Sequence, residues 1–169
     1  DIAARIAEDM QANGGLLSDE DLLQYKTTRN HPLETTYRGL KISSNHPPGG
    51  GIMVLEMLNI LEHFDLAAMG HNSVDYLRTV TEAMKRATSD KDLYVGDPEF
   101  VDVPLDRLIS KEHARSHSDE IRSGQRASVE RMSYESKDTT HVCVVDKDGN
   151  SASMTHSLGM PSGVITNGL

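Results

Sequence analysis

The stretch DTTHVCVVDKDGNSASMTHSL, residues 138–158, has the pattern of a β-hairpin and decides how the rest of the chain is interpreted. Residues 139–145 are rich in β-branched side chains, residues 151–157 alternate in polarity, and residues 146–150 are turn formers. An antiparallel pair of strands is therefore the expected local structure.

Two registers are compatible with this hairpin. A two-residue Asp148-Gly149 turn would pair Thr139 with Leu158, whereas a three-residue loop with Gly149 in the left-handed conformation would pair Thr139 with Ser157. Because a slip by one residue exchanges the two faces, a core on one side favours the register with clean faces. The three-residue loop gives them: an apolar face of Val142, Val144, Ala152 and Met154, and a polar face of Thr139, His141, Cys143, Ser153, Thr155 and Ser157.

Thr139 begins the first strand and faces hydroxyl groups across the hairpin, so it is a candidate nucleophile. A threonine hydroxyl is a weak nucleophile unless a base takes its proton, and its own free α-amino group can be that base. This chemistry requires cleavage between Asp138 and Thr139, and the polar stretch 123–137 has the composition of a flexible tail. The hairpin alone favours the alternative, an exposed sheet face on which Ser and Thr are common.

Composition and charge narrow the class of protein and of partner. The 169 residues suffice for one domain with a sizeable core, and a net charge of −9 argues against a nucleic-acid or anionic-membrane partner. Cys143 is the single cysteine, which excludes an intrachain disulfide, and its strand position predicts a small buried side chain. The sequence contains no evident signal peptide and no apolar run long enough to span a membrane. Because the chain is expected to begin and end within a fold, the sequence does not decide the compartment of the natural protein.

The remaining elements are mostly helical. Residues 104–121 predict a helix in one or two pieces, and residues 163–166 predict a short third strand. On the helix at 72–88, one apolar face is expected from Val74, Leu77, Thr81, Met84 and Ala87. The other predicted elements are a helix at 1–13, a short helix capped by Ser18 and Asp21, a hairpin at 33–43 around Arg38-Gly39, and a deeply buried helix at 52–63.

Three further motifs are interpreted as structural. The glycine-rich turn at 46–51 lacks the lysine and hydroxyl of a phosphate-binding loop, and the turn at 146–150 lacks the remaining ligands of a calcium loop. His113 and His117 are spaced to chelate a metal, but no third ligand is near in sequence, so a solvated helix face is expected. The sequence therefore predicts no metal site and no cofactor.

Several ordered stretches resemble the γ-glutamyltranspeptidase family of N-terminal-nucleophile hydrolases. TTHVCVVDKDGNSASMT resembles the start of that family's small subunit, and residues 14–25, 45–66 and 94–110 resemble the C-terminal half of its large subunit. The resemblance implies one partial domain of α+β class, a partial αββα sandwich of helices and antiparallel strands. Within it, 1–123 would be a mostly helical large-subunit segment, 124–138 a flexible linker before the processing site, and 139–169 small-subunit strands.

The resemblance also implies a role for each site residue. Thr139 would be the nucleophile, first in autoproteolysis of the Asp138–Thr139 bond and then in acyl transfer, while Thr155 and Ser157 hold and polarise its hydroxyl. Gly159 stands where the family has an asparagine that helps to hold the donor's amino group. The substrate implied is a γ-glutamyl amide such as glutathione, with water or an amino acid as acceptor.

Other features limit this assignment. The family's donor-carboxylate arginine, acidic amine ligand and oxyanion-hole glycines have no counterpart in the sequence, and the flanks of Arg29 and Arg38 do not match that arginine's motif. An uncut fragment is expected to have little activity, since the nitrogen of Thr139 would be an amide, and open sheet edges favour self-association. The alternatives are a non-catalytic binding module derived from the family, or a related amide acylase.

Overall fold

The computed structural model describes residues 2–129 and 139–157, without the side chains of Thr139, His156 and Ser157. Asp138, Gly159 and the strand predicted at 163–166 lie outside the described residues. Helices and antiparallel pairs are both present, which confirms the predicted α+β class. The elements are α1 (Ile2–Ala12), α2 (Asp19–Gln24), β1 (Leu33–Tyr37), β2 (Leu40–Ser44), α3 (Gly51–Leu61), α4 (Leu66–Met69), α5 (Val74–Tyr94), α6 (Leu105–Leu108), α7 (Lys111–Arg122), β3 (Thr139–Val145) and β4 (Ser151–Ser157).

The chain divides into two compact units. One comprises residues 29–131, and the other combines residues 1–28 with residues 132–169. In the second unit, α2 begins at a capping box: the Asp21 backbone N–H donates to Ser18 Oγ over 3.2 Å, and the Ser18 N–H donates to Asp21 Oδ2 over 2.8 Å. Ser18 therefore caps this helix as its sequence predicts.

The β1–β2 hairpin leads directly into α3. Its strands pair from Leu33 with Ser44 to Tyr37 with Leu40, and the two turn residues, Arg38 and Gly39, have φ angles of 49° and 81°. This is the hairpin predicted around Arg38-Gly39. At the start of α3, a Cβ on Gly51 would lie 2.3 Å from the Asn45 backbone oxygen, so the glycine permits this close approach of turn and helix.

α3 is the central helix of residues 29–131. It contributes to two apolar clusters, one with the hairpin and α6 and one with α5 and α7. The prediction of a deeply buried helix is confirmed, with Val54 the one exposed residue of α3 and with Glu56 and Asn59 buried beside the apolar side chains. The clusters consist of Leu33, Ile52, Leu55 and Leu108, and of Ile60, Ala83, Ala114 and Ile121.

Asn59 joins three elements through its side-chain amide. Its Oδ1 accepts from Thr35 Oγ1 and Lys111 Nζ, each over 2.7 Å, and its Nδ2 donates to the Ile109 backbone oxygen over 2.8 Å. Lys111 also pairs with Glu62 at 2.6 Å. A buried amide with both ends satisfied in this way holds β1 and the start of α7 against α3.

The orientation of α5 differs from the prediction. Val74, Leu77 and Met84, expected on a buried face, are 82%, 50% and 49% exposed. The face turned inward carries small and charged residues instead: Thr79, Glu82, Ala83, Arg86, Ala87 and Asp90. Alanines allow α5 to approach α3 closely, and the buried charges are tolerated because they are paired.

The segment predicted as one helix or two pieces forms two, α6 and α7. Ser110 lies between them and accepts a hydrogen bond from the His113 backbone N–H over 3.1 Å, which begins α7. Among the described residues, no helix combines the length and apolar character required to cross a membrane.

Candidate functional site

The β3–β4 hairpin adopts the register that separates its two faces. Thr139 pairs with Ser157, and His141 pairs with Thr155. Gly149 has a φ of 83°, the left-handed conformation required by the three-residue loop. The prediction of this register is confirmed, and the competing pairing of Thr139 with Leu158 is wrong.

The turn itself fixes this register through Asp146. Its Oδ1 accepts from the backbone N–H groups of Asp148 and Asn150, each over 2.9 Å, and its Oδ2 accepts from Asn150 Nδ2 over 2.8 Å. The hydrogen bonds from Asn150 lower the pKa of the Asp146 carboxyl below its usual value. An ionised aspartate that binds the amides of its own turn is a local determinant of register.

The apolar face of the hairpin is not covered by other described residues. Val142, Val144 and Met154 are 47%, 58% and 55% exposed. The register was predicted on the ground that a packed core covers the apolar face. In the described structure, the hydrogen bonds of the turn around Asp146 account for the register instead. The residues on each face are those predicted, but the apolar face is not buried among the described residues.

The polar face is organised around His141, which sequence reasoning did not single out. Its Nδ1 lies 2.7 Å from Thr155 Oγ1, and its Nε2 lies 3.0 Å from Cys143 Sγ and 3.1 Å from Ser153 Oγ. A neutral imidazole has one donor and one acceptor nitrogen, so it can connect the hydroxyls on its two sides. Its position, two residues after Thr139 on the same face, was the available signal.

Cys143 differs from its prediction. It is an exposed free cysteine rather than a small buried residue, because it lies on the solvent-facing polar side of the hairpin. Its sulfur is 3.5 Å from Ser153 Oγ in addition to its contact with His141. A thiol next to imidazole and hydroxyl groups is accessible to reagents.

The described structure brings together part of the predicted site. Thr139 and Ser157 are opposite each other in the backbone register, and Thr155 contacts His141. Asp138 and Gly159 lie outside the described residues. The catalytic, cleavage and substrate-binding roles of these residues remain predictions.

Residues 125–127 at the start of the predicted linker are held by α5. Arg86 Nη2 donates to the Gln125 backbone oxygen over 3.1 Å, and the Ala127 N–H donates to Glu82 Oε2 over 2.8 Å. Arg86 also pairs with Glu82 at 2.6 Å and with Glu120 at 3.2 Å. Burial would raise the pKa of Glu82, but the hydrogen bonds from Ala127, Lys85 and Arg86 outweigh it and lower the pKa to about 2.

His113 and His117 do not form the solvated helix face that their spacing predicted. Their side chains are only 17% and 16% exposed, and both rings face Asp90 on α5 and Glu56 on α3. These two carboxylates, which could complete a metal site, are distant from the histidines in sequence and near them in space. A scan for nearby histidines and carboxylates along the chain therefore missed this cluster.

The fold resembles solved structures of N-terminal-nucleophile hydrolases. The crystal structure of Helicobacter pylori gamma-glutamyltranspeptidase superimposes with a TM-score of 0.69 at 37% sequence identity, covering 77% of this chain and 37% of that chain. This likeness confirms the predicted assignment to a partial N-terminal-nucleophile-hydrolase fold of α+β class.

Sequence comparison identifies the family within that class. The profile described as Gamma-glutamyltranspeptidase matches residues 1–168, and the chain belongs to this family. The glutathione hydrolase proenzyme of Escherichia coli is 42% identical over 96% of this chain. The acylase ACY 1 proenzyme of Pseudomonas sp. strain SE83 is 37% identical over 90%. The chain spans 29% and 28% of the lengths of these two relatives.

Proposed function

We propose that this chain is part of an enzyme that cleaves γ-glutamyl amides such as glutathione through Thr139. The observation that carries the proposal is the register of the hairpin, in which Thr139 starts β3 opposite Ser157 and His141 lies opposite Thr155. The similarity to a relative named glutathione hydrolase proenzyme supports the same substrate class and a precursor that is cut.

The first step proposed is self-cleavage between Asp138 and Thr139. The Thr139 hydroxyl oxygen attacks the carbonyl carbon of Asp138, the C–N bond breaks, and the nitrogen of Thr139 gains a proton. Water then hydrolyses the resulting ester, which leaves a carboxylate on Asp138 and a free α-amino group on Thr139. A residue freed in this way carries both nucleophile and base.

The second step proposed is acyl transfer. The α-amino group takes the proton of the Thr139 hydroxyl, the oxygen attacks the γ-carbonyl carbon of the donor, and the amine portion leaves with a proton. Water or an amino acid then releases the acyl group and restores the hydroxyl. No cofactor is required for either step.

The facing strand supplies the proposed positioning groups. Ser157 stands opposite Thr139, so its hydroxyl is assigned to holding and polarising the nucleophile. The Thr155 hydroxyl, 2.7 Å from His141 Nδ1, is assigned to the same polar network. His141 on the same face as Thr139 would fix the orientation of Thr155.

A related amide acylase is the second candidate. Gly159 offers no side-chain acceptor where the family has an asparagine for the donor's amino group, so strict γ-glutamyl recognition is not required by this position. The 37% identity to the acylase ACY 1 proenzyme supports this candidate. Thr139 chemistry is common to both candidates, and the donor distinguishes them.

The division of the chain follows from the same proposal. Residues 1–123 would be a mostly helical large-subunit segment, 124–138 the linker, and 139–169 the first strands of the small subunit. Together they would form one partial domain of the whole enzyme. Open edges of the sheets would allow self-association.

The decisive experiment follows the mass of the full-length polypeptide that carries this sequence at neutral pH. We expect two products, the second beginning at Thr139, and hydrolysis of glutathione by the processed protein. Thr139→Ala should remain one chain without activity, whereas Thr140→Ala, which changes the neighbouring residue on the opposite face, should be cut. An uncut parent protein would overturn the proposal, and cutting with activity only on other amides would favour the acylase.

A further inference from the structure

A cluster of imidazole and carboxylate groups lies between three helices, away from Thr139 in sequence. Glu56 is contributed by α3, Asp90 by α5, and His113 and His117 by α7, and one ligand atom of each lies within 4.8 Å of all the others. Glu56 and Asp90 are buried, and the two histidines are mostly buried. Nothing in the proposed acyl-transfer chemistry uses these groups.

The distances in this cluster are those of ligands around a common point. Asp90 Oδ2 lies 2.5 Å from His113 Nε2 and 3.2 Å from His117 Nε2, and the two Nε2 atoms are 3.2 Å apart. Glu56 Oε1 lies 3.7 Å from each Nε2. Tetrahedral zinc with Zn–N and Zn–O bonds near 2.1 Å separates its ligand atoms by about 3.4 Å. Binding of an ion would replace the Asp90–His113 hydrogen bond and move its two atoms apart by about 0.9 Å, while the other distances already lie near the required value.

Glu56 is the least satisfied member of the cluster. The residue is 1% exposed, and its Oε1 is fully buried without a hydrogen-bond partner among the described residues. A buried carboxylate oxygen that faces two imidazole nitrogens and has no hydrogen-bond partner leaves a space that a cation would fill.

A carboxylate also lies near the outer nitrogen of His117. Its buried Nδ1 makes no hydrogen bond to the described residues but lies 3.6 Å from Glu120 Oε2, which Arg86 Nε holds at 3.2 Å. Metal-bound histidines commonly donate their other N–H to a carboxylate, which fixes the ring. Glu120 is placed to do so after a movement of a few tenths of an ångström.

One ligand of the cluster borders a surface hollow. The hollow, of about 370 Å³, is lined by His113 together with Arg107, Ser110, Glu112 and Ser116. Arg107 on the same wall is a competing positive charge.

We propose that Glu56, Asp90, His113 and His117 bind one divalent transition-metal ion, with Zn²⁺ the best match to a closed set of two imidazoles and two carboxylates. Four protein ligands leave no position open for substrate, which is typical of a structural zinc site rather than a catalytic one. The ion would join α3, α5 and α7 at a point where apolar packing is replaced by charge. Imidazole-rich sites also bind Cu²⁺ and Ni²⁺, so the test includes selectivity.

The experiment measures Zn²⁺ binding to the full-length polypeptide after removal of metal with a chelator. We expect one ion per chain by elemental analysis after dialysis, a higher unfolding temperature with Zn²⁺, and the visible absorption of tetrahedral Co²⁺ when cobalt replaces zinc. His113→Gln/His117→Gln should weaken binding by more than about 100-fold, beyond the loss typical of an outer-shell partner. The control His63→Gln/His71→Gln removes two histidines outside the cluster and should bind as the parent does.

Glu56→Gln keeps the experiment informative if the double histidine variant does not fold. This substitution preserves shape and removes one anionic ligand, so affinity should fall and the Co²⁺ absorption should change. Equal Zn²⁺ binding by the parent and the cluster variants would overturn the proposal. Absence of saturable binding to the parent would overturn it too, and would leave a cluster held by shared protons.

Discussion

The β3–β4 hairpin and the interface of α3, α5 and α7 differ in how their polar groups are organised. In the hairpin, every side-chain hydrogen bond described joins residues at most 14 positions apart, such as His141 with Thr155. In the helical interface, Glu56 meets His113 and Arg86 meets Gln125 across 57 and 39 positions. Local pattern therefore specifies the first region, whereas tertiary packing specifies the second.

Loss of Arg86 should give the largest effect on stability in the helical interface. Arg86→Ala would leave Glu82 buried without its closest cation and would release the Gln125 backbone oxygen. We expect a loss of about 4 kcal/mol in the free energy of unfolding, measured by urea denaturation. Arg78→Ala, at an exposed position of the same helix, should change it by less than about 0.5 kcal/mol. Similar losses for both variants would contradict the paired-charge interpretation.

The sequence predicted elements well where the determinants are local. Ser18 with Asp21 marks a helix start, Arg38-Gly39 marks a turn, and the alternation around Gly149 marks a register. Each depends on residues that are neighbours in the chain, so a short window contains the whole physical cause.

The sequence failed where burial is decided by distant partners. α5 has an apolar stripe, yet Val74 is exposed and Glu82 is buried, because the Ala127 backbone N–H, 45 positions away, donates to the Glu82 carboxylate. His113 and His117 looked solvated because their carboxylate neighbours come from α3 and α5. A hydropathy pattern cannot anticipate pairs whose members are tens of residues apart.

The amide of Asn59 provides the next test, with an effect slightly smaller than that of Arg86. Asn59→Leu should cost about 3 kcal/mol in unfolding free energy, since it removes the partner of the Thr35 hydroxyl and of the Ile109 backbone oxygen and one of the acceptors of Lys111. Val54→Ala, on the half-exposed side of the same helix, is the matched control and should cost less than about 1 kcal/mol. Equal losses would mean that α3 is held by apolar contacts alone.

The charge on Glu82 predicts a pH dependence of stability. Its pKa is lowered from 4.5 to about 2 on folding, so its contribution is fully present above pH 4.5 and is lost as the pH falls toward 2. We expect about 2 kcal/mol of the acid-induced loss of stability to disappear in Glu82→Gln, measured by thermal unfolding between these pH values. Glu8→Gln, at an exposed site on α1, should leave the parent's profile unchanged. An unchanged slope in Glu82→Gln would contradict the assignment.

The hairpin should respond least to substitution. Gly149→Ala places a side chain at a φ of 83° and should cost about 1 kcal/mol, with a shift of the amide signals of the turn as the readout. Gly50→Ala is the control, because its φ of −75° suits alanine and no atom lies within 4 Å of the added Cβ. If Gly149→Ala were as stable as the parent, the left-handed turn would not be what selects the register.

The attachment of Ala127 to Glu82 has a consequence for how far a cut end can travel. Asp138 follows Ala127 by 11 positions, so the chain end released by the proposed cleavage before Thr139 would stay within at most about 40 Å of Ala127. Its new carboxylate would remain at a high local concentration around its point of attachment on α5 rather than diffuse away. The same pair of hydrogen bonds would thereby limit how far the released carboxylate could move away from α5 when substrate binds.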